Sequence, residues 1–263
     1  MTANSSILAV PRPVAKPTLR LICLPYAGGS ASIYSTWAKA LPADVEMIAV
    51  QPPGRANRMF EKPHTRMATL VDELHAAIEP LLGIPYVVFG HSLGSRVGFE
   101  IVRTARRRGQ RLPEHFIASG SPAPHLPARS KRIHDLPKEE FIQELREFNG
   151  TPEAVLANEE LMELSLPLLR ADFMLSETYT PAQEPPLDCH LSIFSGETDK
   201  DIQPDDLLAW CTHFLHGGAI TMFPEDHFFV DKLREAVVAR VNGILLTVAG
   251  DLARKEPHRW SIA

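Results

Sequence analysis

The sequence predicts an α/β protein, with a mostly parallel central sheet flanked by helices and broken by one helical insertion. Three observations carry this expectation. Apolar, strand-like runs alternate with helix-like segments along most of the chain, the pattern of parallel strands joined by right-handed crossovers. One of those runs, Tyr86-Val87-Val88-Phe89, passes straight into Gly90-His91-Ser92-Leu93-Gly94 and then a helix-forming segment. The alternation stops only at about 122–186, a stretch too long to be a simple loop.

The elements follow in order. Residues 1–18 are rich in proline and small side chains and read as a flexible leader. Strands are expected at 19–24, 46–51, 86–89, 115–120, 189–194 and 219–223, and helices at 32–40, 67–82, 93–108 and 229–249. In the helix after Ser92 the apolar face is Val97, Ile101, Val102 and Ala105, and Gly109 can end it in a left-handed cap. The core is thus expected from 19–121 and 187–249, the insertion at 122–186, and a flexible tail over 250–263. The insertion opens on Ser121-Pro122-Ala123-Pro124 and carries two helical stripes: Phe141, Leu145 and Phe148, then Leu161, Leu164, Leu168 and Phe173. It falls between core strands above the carboxyl edge of the sheet, which suggests a lid with an apolar underside; shielding of the core alone is the blander alternative.

Composition narrows the function. A chain of 263 residues with 44% hydrophobic content can bury the core of one domain. A net charge of −5 offers no electrostatic case for nucleic acid. No apolar run approaches a membrane-helix length, and the start lacks a charged-then-apolar secretory pattern. Cys23, Cys189 and Cys211 are odd in number and widely spaced, which suits reduced thiols and a cytoplasmic setting. Cys211-x-His213-x-x-His216 lacks a convincing ligand set, so no metal or other cofactor is expected.

The Gly-x-Ser-x-Gly stretch carries the chemistry. A serine on a sharp strand-to-helix turn needs neighbours without side chains, and the helix beginning at Leu93 aims free N–H groups at developing negative charge. A nucleophilic serine needs a base, and the base an orienting carboxylate. His227 follows the strand at 219–223, on a loop at its carboxyl end, and is the best-placed histidine. Glu197, Asp199 and Asp201 share the loop after the strand at 189–194; Asp199 is favoured over Asp201. Pro25-Tyr26-Ala27-Gly28-Gly29-Ser30 closes the first strand in a glycine-rich turn, so the backbone N–H groups of Ala27 and Leu93 are the expected oxyanion donors. His91 flanks the nucleophile and is expected to pack rather than titrate.

Four motifs now stand in order: Pro25 to Ser30, Pro53-Gly54-Arg55-x-x-Arg58, Gly90 to Gly94, and Phe223-Pro224-x-x-His227-Phe228-Phe229. Together they resemble the type II (external, editing) thioesterases of nonribosomal peptide and polyketide synthesis, over roughly residues 19–246. The resemblance implies an α/β-hydrolase with a helical lid. It implies hydrolysis of acyl or aminoacyl thioesters from the phosphopantetheine arm of carrier proteins, with Ser92, Asp199 and His227 as the triad. A monomer is expected. Ala56-Asn57 stands where the family commonly has an acid between the two arginines, which puts a local ion pair there in doubt. Arg103, Arg106, Arg107, Arg108 and Arg111 read first as a solvated helix end. Arg55 and Arg58 are an alternative contact for an acidic carrier. A general carboxylic-ester hydrolase or acyltransferase would use the same machinery, and a non-enzymatic receptor on this fold would be expected to lack a triad member.

Overall fold

The computed structural model describes residues 6–127, 131–148 and 156–255. Seven strands form one sheet: β1 (Leu8–Ala9), β2 (Leu19–Leu24), β3 (Val45–Val50), β4 (Tyr86–His91), β5 (His115–Ser119), β6 (His190–Gly196) and β7 (Gly218–Phe223). Their spatial order is β1-β3-β2-β4-β5-β6-β7, and only β1 runs antiparallel to its neighbour. Period-two alternation assigns the faces. Ile22, Leu24, Ile48, Val50 and Val88 turn to one side, Leu21, Cys23, Met47, Ala49 and Val87 to the other. Both sides are buried, which is why these strands read as continuous apolar runs.

Helices α1 (Met67–Ile78) and α2 (Leu93–Arg107) cover the first face together with Trp210, Phe214 and Leu207 of the short α5 (Pro204–Leu208). The second face is covered by α7 (Arg234–Lys255), through Val237, Val241 and Leu245, and by Tyr34 and Trp37. By length and composition alone α7 could cross a membrane, contrary to the expectation that no run comes near; its aliphatic face is instead packed against the sheet. The chain order reverses between β2 and β4, and the crevice at their carboxyl ends is where open α/β sheets hold ligands.

Several expected elements change form. The helix expected at 32–40 is two short 3-10 turns, Ala31–Tyr34 and Trp37–Lys39, because Tyr34 and Trp37 are both drawn into the core. The helix expected at 229–249 breaks at Leu233 into α6 (Phe229–Lys232) and α7, and α7 runs on to Lys255. The tail expected from residue 250 therefore begins as helix; its remainder, 256–263, lies outside the described residues. The leader is not loose either. Leu8 and Ala9 pair with Val50 and Ala49, the Gln51 N–H donates to the Ile7 carbonyl (2.7 Å), and Arg12 reaches the Pro42 carbonyl (2.6 Å). Residues 1–5 of that leader also lie outside the described residues.

Within the insertion stand α3 (Lys138–Phe148) and α4 (Glu159–Thr178), with positions 128–130 and 149–155 outside the described residues. These helices have a small core of their own, including Phe141, Leu145, Met162, Leu166 and Leu169. On α4 the expected Leu168 is buried and Phe173 packs against this small core, but Met162, Leu166 and Leu169 take the buried places expected of Leu161 and Leu164. Leu161 and Leu164 are 44% and 68% exposed. Ion pairs tie the insertion down. Arg55 grips Asp172 of α4 with two bonds of 2.7 and 2.8 Å, both side chains being buried. Arg103, Arg106 and Arg107 of α2 converge on Glu184. Burial alone would raise the Glu184 carboxyl, but the hydrogen bonds from Arg106, Arg107 and Arg103 hold it down at about 2. Arg103, Arg106 and Arg107 are therefore an anchor, whereas Arg108 and Arg111 are the exposed helix end that the sequence suggested, beside Glu79 and Glu114.

Candidate active site

Ser92 sits between β4 and α2 with φ 54°, in the left-handed region that non-glycine residues avoid. Close packing enforces this turn. A Cβ at Gly94 would collide with the Leu24 carbonyl of the adjacent strand, and one at Gly90 with the backbone of Gly94 and Ser95. The Ser92 N–H donates to the Ser119 carbonyl (2.7 Å), and Ser95 Oγ donates to the Gly90 carbonyl (2.7 Å). The hydroxyl is left at the N-terminal end of α2, where the helix dipole favours an anion.

The base and acid expected beside it arrive on loops after β7 and β6. His227 Nδ1 donates to Asp199 Oδ2 at 2.7 Å, and the Asp199 side chain is 1% exposed. The second oxygen, Asp199 Oδ1, accepts the backbone N–H of Asp201 at 3.1 Å. Glu197 and the Asp201 carboxylate are exposed and do not reach His227 by a hydrogen bond. Partial burial and the neighbouring Asp199 raise the Asp201 carboxyl above its ordinary value. Gly196 matters here as the glycines do at the elbow: a Cβ there would strike the backbone carbonyls of Glu225 and Asp226.

His91 lies beneath His227. Its Nε2 donates to the His227 carbonyl (3.0 Å), so Nδ1 must accept from Ser119 Oγ (2.8 Å). Complete burial and the nearby His227 hold its pKa well below the ordinary histidine value. The ring is neutral and structural, as its sequence position suggested.

The loop after β2 faces the same crevice. Among the described residues the Ala27 N–H makes no protein hydrogen bond, and Leu93 opens α2, where helix N–H groups lack intrahelical acceptors. The next residue is held firmly: Gly28 N–H donates to Asp172 Oδ2 (2.7 Å), and Arg55 Nη1 donates to the Gly29 carbonyl (3.1 Å). Arg55 is thus an internal strut. Arg58 is likewise buried, pairing with Glu61 and Glu73. Neither arginine is free to meet an acidic partner, and the acid missing between them is supplied from farther along the chain.

Ser92, Ala27 and His227 open into one cavity of about 140 Å³. Leu145 and Phe148 of α3 and Leu169 and Phe173 of α4 form its roof, and Arg96 and Phe228 join its walls. A second, polar cavity of about 370 Å³ adjoins it, sharing Phe148, Asp201 and His227 and lined also by Glu144, Glu147 and Asp226. Sequence reasoning missed Asp172 and Arg96. The signal for Asp172 was present, since it stands at helical spacing from Leu168 and Leu175, an acid on an apolar helix face. Among the described residues no group of three histidine, cysteine or acidic side chains could hold a metal.

This sheet, with a serine elbow at its switch point and histidine and aspartate on the following loops, is the α/β-hydrolase fold. The chain belongs to the thioesterase domain family, which it matches over residues 19–245, and it is a thioester hydrolase. It is 41% identical over 212 residues to the gramicidin S biosynthesis protein GrsT of Aneurinibacillus migulanus, covering 81% of this chain and 83% of that one. Among solved structures it superposes on BorB, the type II thioesterase of the borrelidin biosynthetic cluster, with a TM-score of 0.83 at 33% identity; the match covers 94% of this chain and 99% of BorB. ClbQ, from the colibactin NRPS/PKS pathway, gives a TM-score of 0.84 at 33% identity over 88% of this chain and 98% of its own.

Proposed function

We propose that the chain is an editing serine thioesterase that hydrolyses acyl groups from the phosphopantetheine arm of carrier proteins in nonribosomal peptide or polyketide biosynthesis. One observation carries the reading: His227, held by Asp199, stands between a mostly apolar chamber containing Ser92 and an open, more polar vestibule. The acyl chain occupies the chamber, and the polar arm lies in the vestibule. The insertion 122–186 acts as the lid, closing over the site once the arm has entered. The biosynthetic pathways of the relatives are consistent with a carrier protein as partner.

In the first step His227 Nε2 takes the Ser92 proton as Oγ attacks the thioester carbonyl carbon. The oxyanion is met by the N–H groups of Ala27 and Leu93. The tetrahedral intermediate collapses by breaking the C–S bond, and protonated His227 gives its proton to the departing thiolate. Water, deprotonated by His227, then attacks the acyl-serine; carbon–oxygen cleavage returns the proton to Ser92 and releases the acid.

The test is hydrolysis of acyl-phosphopantetheinyl carrier protein beside a matched p-nitrophenyl ester, for the wild type and Ser92→Ala. Serine-dependent preference for the loaded carrier is expected, with a loss of about 10⁶ in kcat for the variant. Preference for the free ester would move the assignment to a general ester hydrolase, and near-normal turnover by Ser92→Ala would remove the serine mechanism.

A further inference from the structure

Arg96 lies on α2 one turn beyond Ser92, which puts their Cα atoms about 6 Å apart. Four arginines are buried in the described structure. Three have carboxylate partners: Arg55 with Asp172, Arg58 with Glu61 and Glu73, and Arg103 with Glu100 and Glu184. Arg96 has none. It is 7% exposed, and its one hydrogen bond runs from Nη1 to the Ser176 carbonyl of α4 at 2.9 Å. A buried guanidinium without a counterion carries a desolvation cost, which shows as a pKa drawn below the ordinary arginine value.

Among the described residues its remaining N–H groups have no protein acceptor, and Arg96 lines the chamber that holds Ser92. Two acids touch the same chamber, but neither serves as the missing partner. Glu177 is already engaged, accepting the Ile133 N–H (2.9 Å) and the His134 N–H (3.3 Å) and pairing with the His134 ring. Asp201 is exposed at the mouth, shared with the vestibule. The cation nearest the nucleophile along the helix is thus held in the wall of a mostly apolar acyl pocket with no carboxylate partner among the described residues.

We propose that Arg96 is a specificity residue that selects carboxyacyl groups: thioesters whose short acyl chain ends in a carboxylate, of the succinyl or glutaryl kind. A carboxylate at the chain end supplies the counterion that the protein omits, and it can meet the planar guanidinium with two parallel hydrogen bonds. An aminoacyl group brings an ammonium into the same space and is disfavoured by like charge. A neutral acyl chain of equal length leaves the guanidinium unsatisfied.

The inference rests on the thioesterase reading above, and one experiment separates their failures. A single carrier protein is loaded in turn with succinyl, butyryl, glutaryl, pentanoyl and aminoacyl groups, and kcat/KM is measured for wild type and Arg96→Gln. The glutamine keeps a donor for the Ser176 carbonyl. The wild type is expected to favour succinyl over butyryl, and glutaryl over pentanoyl, by about tenfold to a hundredfold, and to turn over aminoacyl groups least. In Arg96→Gln the carboxyacyl-to-neutral ratio should fall at least about tenfold. Each ratio is taken within one preparation, so loss of folded protein cancels. A wild type that prefers butyryl and pentanoyl overturns the role of Arg96 whatever the variant does, as does a ratio that survives the substitution. If no loaded carrier is hydrolysed, it is the thioesterase reading that fails.

Discussion

The floor and the roof of the site are built by different physics. The floor, made by the turn at Ser92 and the loops bearing Asp199 and His227, is fixed by backbone packed on backbone. Gly94 lies against the Leu24 carbonyl, and Gly196 against those of Glu225 and Asp226. The roof, made by α3 and α4, is held by side-chain charge: Arg55 on Asp172, and three arginines on Glu184. Hard-sphere contacts have no alternative arrangement, whereas ion pairs can open and re-form. The groups proposed to do the chemistry are therefore set by sterics, and the segment proposed as the lid is tied down by electrostatics.

Four perturbations test this contrast. The largest effect is expected from Asp199→Asn, which leaves the floor's shape but spoils the orientation of His227; kcat should fall by about 10⁴, while Asp201→Asn stays within a few-fold. The reverse outcome in a kinetic comparison would reassign the acid. Gly94→Ala is expected to cost about 4 kcal/mol or to prevent folding, read by urea denaturation. Gly243→Ala, at a helix position where an added Cβ meets nothing within 4 Å, should instead stabilise by up to about 1 kcal/mol. Equal effects would refute the steric account of the floor.

For the roof, Asp172→Ala strands a buried guanidinium and should cost about 3 kcal/mol in the same assay. Replacing both partners, Arg55→Met with Asp172→Leu, should recover most of that stability. It should not recover kcat, because the Gly28 N–H loses its acceptor beside the proposed oxyanion donor. The smallest effect is on pH dependence. Burial holds His91 well below the ordinary value, and burial with a neighbouring imidazole brings His115 and His213 to about 4. Such groups bind protons more readily unfolded, so stability is full above the ordinary histidine pKa and is lost as pH falls from about 6.5 to about 4. His115→Gln and His213→Gln should flatten the fall of Tm across that window by up to about one proton each. Glu184→Gln should leave the slope unchanged above about pH 5.5 and alter it only below, where the unfolded carboxyl binds its proton near 4.5 and the folded one only near 2.

How much of this was legible follows from how local each feature is. The strand, the two glycines and the helix start around Ser92 are consecutive, so the elbow could be read directly, as could the buried face Val97, Ile101, Val102 and Ala105. Among three acids within five residues the sequence favoured Asp199 but could not fix it, because the bond to His227 depends on how the loops after β6 and β7 approach. On α4 Leu161 and Leu164 were placed on the wrong side, since leucines stand on both its buried and its open sides. Asp172 and Arg55 are 117 positions apart, and no local pattern connects them. Arg96 looks like any helix-surface arginine until α4 is laid across it.

The pairing of Leu8 and Ala9 with β3 has a practical consequence. These residues carry none of the proposed chemistry, and a shortened chain beginning at Leu19 would keep every group that lines the two cavities. It would also uncover the outer edge of β3, a row of unpaired N–H and C=O groups that another strand can add to. The first fault of such a trimmed protein would be self-association in the test tube, with turnover per dispersed molecule little changed.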